Sequence, residues 1–180
     1  MWDVENGRHI TKFGDTHGKG NKLTSGCFDK TQRRMVSAGS DGSVKIWNFS
    51  NGSSLKNLVI DHDAKIIKVD KEVTSLLCVF APDPPKDDKK KENEKEDEKP
   101  SYFVAAGWDR RLRIWLDDRE SDEENVNVAR DLPNKYLQNS SSHNDDIMSA
   151  IYDAGTNQIF TGAHDGTILA WHFETGFIKV

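Results

Sequence analysis

Histidine, hydroxyl and carboxylate side chains together are the raw material of a nucleophilic triad. This chain offers them twice in the same order: His17, Ser37 and Asp41, then His143, Thr161 and Asp165. A hydroxyl activated by its imidazole would make a hydrolase. The repetition points elsewhere. A catalytic centre needs one such set, whereas two copies, each with a tryptophan (Trp47, Trp171) six residues after the aspartate, suit architecture. A third aspartate, Asp109, stands six residues before Trp115, but Ala105 occupies the place of the hydroxyl residue. No catalytic residue is assigned. The histidines are scattered, no Cys/His ligand spacing occurs, and Asp61-His62-Asp63 lacks the continuation of a calcium loop, so neither metal nor cofactor is expected.

The bulk properties narrow the classes further. Of 180 residues, 35 % are hydrophobic and 31 % charged, and the net charge of -5 gives no broad attraction to nucleic acid or anionic membrane. No run of about 18 apolar residues is present, so no spanning helix is expected. Met1–Glu5 has neither the basic nor the apolar region of a secretory signal. Cys27 and Cys78 lie in apolar, strand-like contexts without C-x-x-C spacing and read as buried free thiols.

What positions the aspartates is a repeat. Leu23–Phe28 with Met35–Trp47, Val73–Cys78 with Phe103–Trp115, and Ile147–Tyr152 with Ile159–Trp171 are three versions of one unit. Ser25 to Asp41 spans 16 positions, as does Ser149 to Asp165; Ser75 to Asp109 spans 34, which places an 18-residue insertion in the second unit. Each unit reads as four short strands. Val44 and Ile46 alternate with polar partners, the period of a strand with one buried face. Asp41-Gly42 and Asp165-Gly166 are hairpin dipeptides, since glycine accepts positive φ without steric cost. Asp109-Arg110 lacks that glycine, so its turn is expected to be of another type or strained. Asn51-Gly52 and Thr175-Gly176 lead into an outer strand such as Leu55 to Ile60, and Trp2, Asn6-Gly7 and Arg8 to Phe13 repeat that ending.

These units resemble WD repeats. The resemblance implies an all-β fold, a partial β-propeller of four-stranded antiparallel blades. Three blades and the tail of a fourth form an incomplete ring, because propellers use four to eight. The blades are expected at 14–60, 61–135 and 136–180, after the end of a preceding blade at 1–13. The resemblance further implies hydrogen-bonded sets: His17, Ser37, Asp41 and Trp47 in the first blade, and His143, Thr161, Asp165 and Trp171 in the third. In the second, only Asp109 and Trp115 match, with His62 displaced. A buried carboxylate needs donors, and imidazole, hydroxyl and indole N–H can supply them.

Two charged stretches fall outside the repeat. Residues 82–100 mix six lysines with eight acidic residues and no apolar anchor, and read as disorder or a short solvated helix. The resemblance to WD propellers implies a place for them on the first-to-second-strand loop, on the wider face. Residues 117–124 carry six acids and one arginine and read as a solvated loop. Partner binding is expected at the narrow face, where Ser40, Trp108 and His164 immediately precede the three aspartates. Trp108, with Arg110 and Arg111, has the composition of an interface anchor; alternatively it folds onto the next blade and helps replace the missing hydroxyl at Ala105. Arg113 either joins them against an acidic surface or is solvated.

The strings Gly107–Arg111, Phe28–Arg34 and Ile46–Phe49 resemble a subgroup of large WD-repeat proteins associated with cilia and flagella. That implies a non-catalytic interaction scaffold in a multi-subunit complex, axonemal or microtubule-associated, with the remaining blades supplied by the same longer chain. The implied location is the cytoplasm, at the cilium or flagellum axoneme. An adaptor recruiting substrates for modification or trafficking is the alternative, and a propeller enzyme a more distant one.

Overall fold

The computed structural model describes residues 1–14, 16–58, 71–80, 101–117, 130–131, 143–174 and 178–179. Residues 82–100, 118–124 and His62, on which expectations were placed above, lie outside the described residues, as do 59–60 at the end of the first outer strand. The described residues are all-β and arranged as three four-stranded antiparallel sheets, each in simple sequence order. The first holds β1 (Leu23–Phe28), β2 (Arg34–Gly39), β3 (Val44–Asn48) and β4 (Ser54–Leu58). The second holds β5 (Val73–Phe80), β6 (Ser101–Gly107), β7 (Leu112–Leu116) and β8 (Arg130–Asp131). The third holds β9 (Ile147–Asp153), β10 (Gln158–Ala163), β11 (Ile168–His172) and β12 (Ile178–Lys179).

The sheets stack face to face like blades, and the core lies between them. Val36, Val44 and Ile46 of the first blade meet Val73, Phe103 and Trp115 of the second. Val104, Leu112 and Ile114, on the far face of that second blade, meet Ile147, Ile159 and Trp171 of the third. Being sandwiched explains why β6, Ser101–Gly107, is buried at all but one residue and does not alternate. Each fully buried aliphatic or aromatic side chain here contributes roughly 1.5–3 kcal/mol.

Side chains also clip the blades together near their innermost strands. Thr24 Oγ1 donates to the Val73 carbonyl of the next blade (2.5 Å), and Thr74 Oγ1 does the same to Ile147 (2.6 Å). The third blade has Met148 at this place, 46 % exposed. Its outward face is otherwise the counterpart of faces that are covered in the first two. Ile168 pairs with Gly162 as Val44 pairs with Ala38, yet Ile168 is 74 % exposed and Val44 only 1 %. An apolar sheet face of this kind is built to be covered.

The N-terminal residues repeat the connection between β3 and β4. Trp2 bridges His9 as Trp47 pairs with Ser54. The hydrogen bonds Asp3 N–H to Arg8 O and Gly7 N–H to Asp3 O recur as Asn48 N–H to Ser53 O and Gly52 N–H to Asn48 O, all between 2.8 and 2.9 Å. Residues 10–14 form no strand, so the expected outer strand through Phe13 is not continued.

Candidate functional site

The corners between second and third strands are the chemically richest places in the molecule. In the first blade the Trp47 indole N–H donates to Ser37 Oγ (2.8 Å), and Ser37 Oγ lies 2.7 Å from His17 Nε2. The other ring nitrogen, Nδ1, is 2.6 Å from Ser43 Oγ, whose hydroxyl donates to Asp41 Oδ1 at 2.7 Å. Only one arrangement of protons satisfies the whole chain. Ser37 accepts from the indole and donates to Nε2, so the neutral imidazole carries its proton on Nδ1 and passes a hydrogen bond to Ser43. The third blade repeats it: Trp171 to Thr161 at 2.7 Å, Thr161 to His143 Nε2 at 2.6 Å, Nδ1 to Thr167 at 3.0 Å, Thr167 to Asp165 at 2.7 Å.

This corrects the sequence-based picture in one respect. Asp41 and Asp165 are not buried carboxylates collecting donors from imidazole, hydroxyl and indole. Asp41 and Asp165 are exposed, His17 Nδ1 is 4.0 Å from Asp41, and Ser43 and Thr167 carry the connection. These two residues were missed, although a hydroxyl residue two places after the aspartate was visible in both blades. Burial pushes the Asp41 carboxyl up, but the Ser43 hydroxyl and amide and the nearby His17 outweigh it and hold the group below the ordinary range. Burial also lowers the pKa of His17, with Asp41 opposing and Lys45 assisting; burial lowers that of His143 against the pull of Asp165 and the Thr161 backbone. Both imidazoles are therefore neutral at pH 7. Ser37 is 0 % and Thr161 1 % exposed, so neither hydroxyl faces a substrate.

The middle blade is built differently. Ala105 leaves Trp115, 0 % exposed, with its indole N–H buried and without a partner. Asp109 is held by Arg113 in an ion pair that is almost entirely sealed from water. Arg113 is 3 % exposed, so it neither meets an acidic surface nor is solvated; it does the anchoring that the histidine does elsewhere. Where Gly42 and Gly166 have φ of 82° and 84°, Arg110 adopts 64°. A non-glycine residue there costs about 1–2 kcal/mol. The strained alternative for this turn is the one realised.

A second buried anchor joins the first two blades at their opposite ends. Asp29, 2 % exposed, sits in the turn after β1 and accepts from the Arg33 and Arg34 amides and from Arg34 Nε, each at 3.0 Å. The Arg34 guanidinium then reaches across to Asp117 of the second blade in a bidentate pair, 3.0 and 2.6 Å, which Ser101 Oγ supports at 2.9 Å. Asp117 is thus no part of a solvated acidic loop: its side chain is 1 % exposed. Burial alone would raise the Asp29 carboxyl, but the Arg34 amide, Thr31 and the guanidinium bring it below the usual range.

Ser40, Trp108 and His164 fall on one rim. Their amides bond the carbonyls of Lys22, Glu72 and Asp146, the residues just before the innermost strands, at 2.9, 3.0 and 2.9 Å. Arg110 is half exposed and lies 3.7 Å from Asp146 of the third blade. His164 is 74 % exposed beside Asp145 at 3.3 Å. Arg111 is half-buried. Trp108 is also half-buried, and its indole N–H is enclosed and unpartnered, so it supplies no substitute for the hydroxyl missing at Ala105.

Comparison with known proteins bears directly on the repeated corner. The family model WD40, described as WD domain, G-beta repeat, matches residues 8–48 and 134–172, the two stretches that carry the complete set of histidine, hydroxyl, aspartate and tryptophan. Those two stretches match WD40 repeats. Among relatives, the WD repeat-containing protein on Y chromosome of Drosophila mojavensis is 26 % identical over 98 % of this chain, and that of Drosophila ananassae 27 % over 98 %. This chain spans only 12 % and 14 % of those two proteins. Among solved structures, U3-55K and the RRP9 WD40 repeats superpose with a TM-score of 0.55 at 16 % and 17 % identity, each over 91 % of this chain and 39 % of the other. At that identity the likeness speaks for the fold: three blades of a WD40 propeller, in an arc that does not close. WD40 propellers are typically binding platforms and typically non-catalytic. Among the described residues no helix is long and apolar enough to cross a membrane.

Proposed function

We propose that the chain is a non-catalytic interaction scaffold, presenting the rim of Ser40, Trp108, Arg110, Arg111 and His164 to a protein partner. The observation that carries this reading is the division of labour along the row of corners. The reactive-looking groups of the first and third corners, His17, Ser37, His143 and Thr161, are 0–5 % exposed and spent on holding strands together, while Arg110 at the middle corner and His164 at the third stand out into solvent. Rigid strands with solvated polar and cationic groups at their turns suit recognition. The exposed face of the third blade supports placing further blades of a longer polypeptide beside it. The resemblance of the short strings Gly107–Arg111, Phe28–Arg34 and Ile46–Phe49 to cilia-associated WD-repeat proteins favours a large axonemal assembly over an adaptor that recruits substrates for modification or trafficking.

A photo-crosslinking residue placed at position 110 or 164 of the native full-length protein tests the rim. Partner peptides captured from these positions, and not from the exposed Arg33 at the opposite end of the blade, support the assignment. Capture from 33 alone refutes it. Light microscopy of a tagged full-length protein in ciliated cells separates the axonemal reading from a diffuse adaptor.

A further inference from the structure

The innermost strands β1, β5 and β9 lie side by side, and their relative level is fixed by contacts. Ser75 Oγ bonds both the amide and the carbonyl of Ala150, at 3.1 and 3.3 Å. Ser75 pairs with Ala106 as Ser25 pairs with Ala38, and Leu76 pairs with Ala105 as Ala150 pairs with Thr161. The same offset one blade earlier sets Ser25 level with Leu76. Two residues further along these parallel-running strands, Cys27 is level with Cys78.

The two thiols also face one another. Cys27 pairs with Val36, whose side chain is buried toward the second blade; Cys78 pairs with Phe103, whose side chain is buried toward the first. Both cysteines pack against that single inter-blade cluster. Cys78 feels the backbone amide of Lys30 across the interface, and Cys27 feels Cys78. One interface on, the corresponding places hold Leu77 and Tyr152, which share the second cluster. Both cysteines are free and half-buried, and both line a cavity of about 520 Å³ that opens to solvent between the three blades.

We propose that Cys27 and Cys78 form an inter-blade dithiol that closes to a disulfide, stapling the first WD40 blade to the second. With a hydroperoxide as oxidant, one thiolate attacks the terminal peroxide oxygen, the O–O bond breaks, alkoxide (hydroxide for hydrogen peroxide) leaves, and a sulfenic acid forms. The second thiol attacks that sulfur and expels water, so two thiols and one hydroperoxide yield one disulfide and, for hydrogen peroxide, two waters. A disulfide such as oxidised glutathione reaches the same product through a mixed disulfide, releasing two reduced equivalents. The cavity that both cysteines line opens to solvent and offers a route to them for a small oxidant such as hydrogen peroxide. Burial pushes the thiols up to about 12 and about 11, so closure speeds up as pH rises toward that range.

The chain is equilibrated in buffers of defined reduced-to-oxidised glutathione ratio, with and without denaturing urea, quenched in acid and mapped by mass spectrometry. Residues Cys27 and Cys78 joined to each other, at an effective concentration at least tenfold higher in the folded chain than in urea, is the expected result. Equal or lower values in the folded chain overturn the proposal. So do glutathione adducts or sulfinic acids that form at the two sites independently, or disulfides that join separate chains. In Cys78→Ser, Cys27 stops at the mixed disulfide; rapid loss of thiol by another intramolecular route is excluded by its sequence, which then holds no second thiol.

Discussion

Replacing Ala105 by serine restores in the middle blade what its neighbours possess. The Trp115 indole N–H is fully enclosed without an acceptor, whereas the indoles of Trp47 and Trp171 reach a hydroxyl at 2.8 and 2.7 Å from the same strand position. An enclosed donor left unmade costs about 1–3 kcal/mol, and a typical buried hydrogen bond returns about 0.5–1.5 net. The new hydroxyl needs a receiver for its own proton, which takes back part of the gain. Ala105→Ser is therefore expected to stabilise by about 1 kcal/mol, a rise of roughly 2–4 °C in Tm for a chain of this size. The reverse change, Ser37→Ala, strands both the Trp47 indole and His17 Nε2 and costs about 2–3 kcal/mol. Equilibrium urea unfolding with tryptophan fluorescence measures both, the midpoint moving at constant slope. If Ala105→Ser lowers stability while Ser37→Ala leaves it unchanged, the indole-to-hydroxyl bond does not hold these corners.

Arg34→Met leaves Asp29 and Asp117 facing each other without the guanidinium between them in a water-poor interface, and unfolding is expected to be easier by about 3 kcal/mol. The loss is no larger because the Arg33 and Arg34 amides, Thr31 and Ser101 still donate to the two carboxylates. Adding Asp117→Leu recovers part of that loss, and a double-mutant cycle reads the coupling. Arg110→Gly removes the φ strain and forfeits only an exposed 3.7 Å ion pair, so it stabilises by about 1 kcal/mol, measurable by calorimetry. His17 and His143 titrate below 6.5 when folded and near 6.5 when unfolded, so in that window the unfolded chain binds more protons. Their contribution is complete above pH 6.5 and is lost as pH falls from there through the folded value. Urea midpoints at pH 7.5 and 5.0 check this, and NMR of the imidazole protons gives the two folded values.

What the sequence disclosed follows from how local each feature is. The three blades, their order and the glycines at positive φ are set by spacing and turn chemistry, within 25 residues in the first and third units and within 43 in the second, and these were readable. The deficit at Trp115 was readable too, since Ala105 occupies a position whose equivalents are Ser37 and Thr161. Ser43 and Thr167 escaped because Asp-Gly drew attention as a turn signal and the hydroxyl behind it looked incidental. Arg113 and Asp117 escaped for a different reason. Arg113 alternates with buried neighbours and Asp117 opens an acidic run, so both have the local look of solvated residues. Only the stacking of blades seals Arg113 onto Asp109, and only a contact across 83 positions turns Asp117 into the partner of Arg34. Local patterning also says nothing of the offset between parallel innermost strands, which is what sets Cys27 opposite Cys78.

An experimental density map of the protein around the third blade is the most direct test of the propeller reading. A four-stranded sheet packed within about 4 Å of Ile151 and Ile168, continuing the arc of the first three blades, is the expected result. Those side chains open to solvent in the assembled protein, or covered by helices with no common axis to the three sheets, would contradict a WD40 propeller built from these repeats.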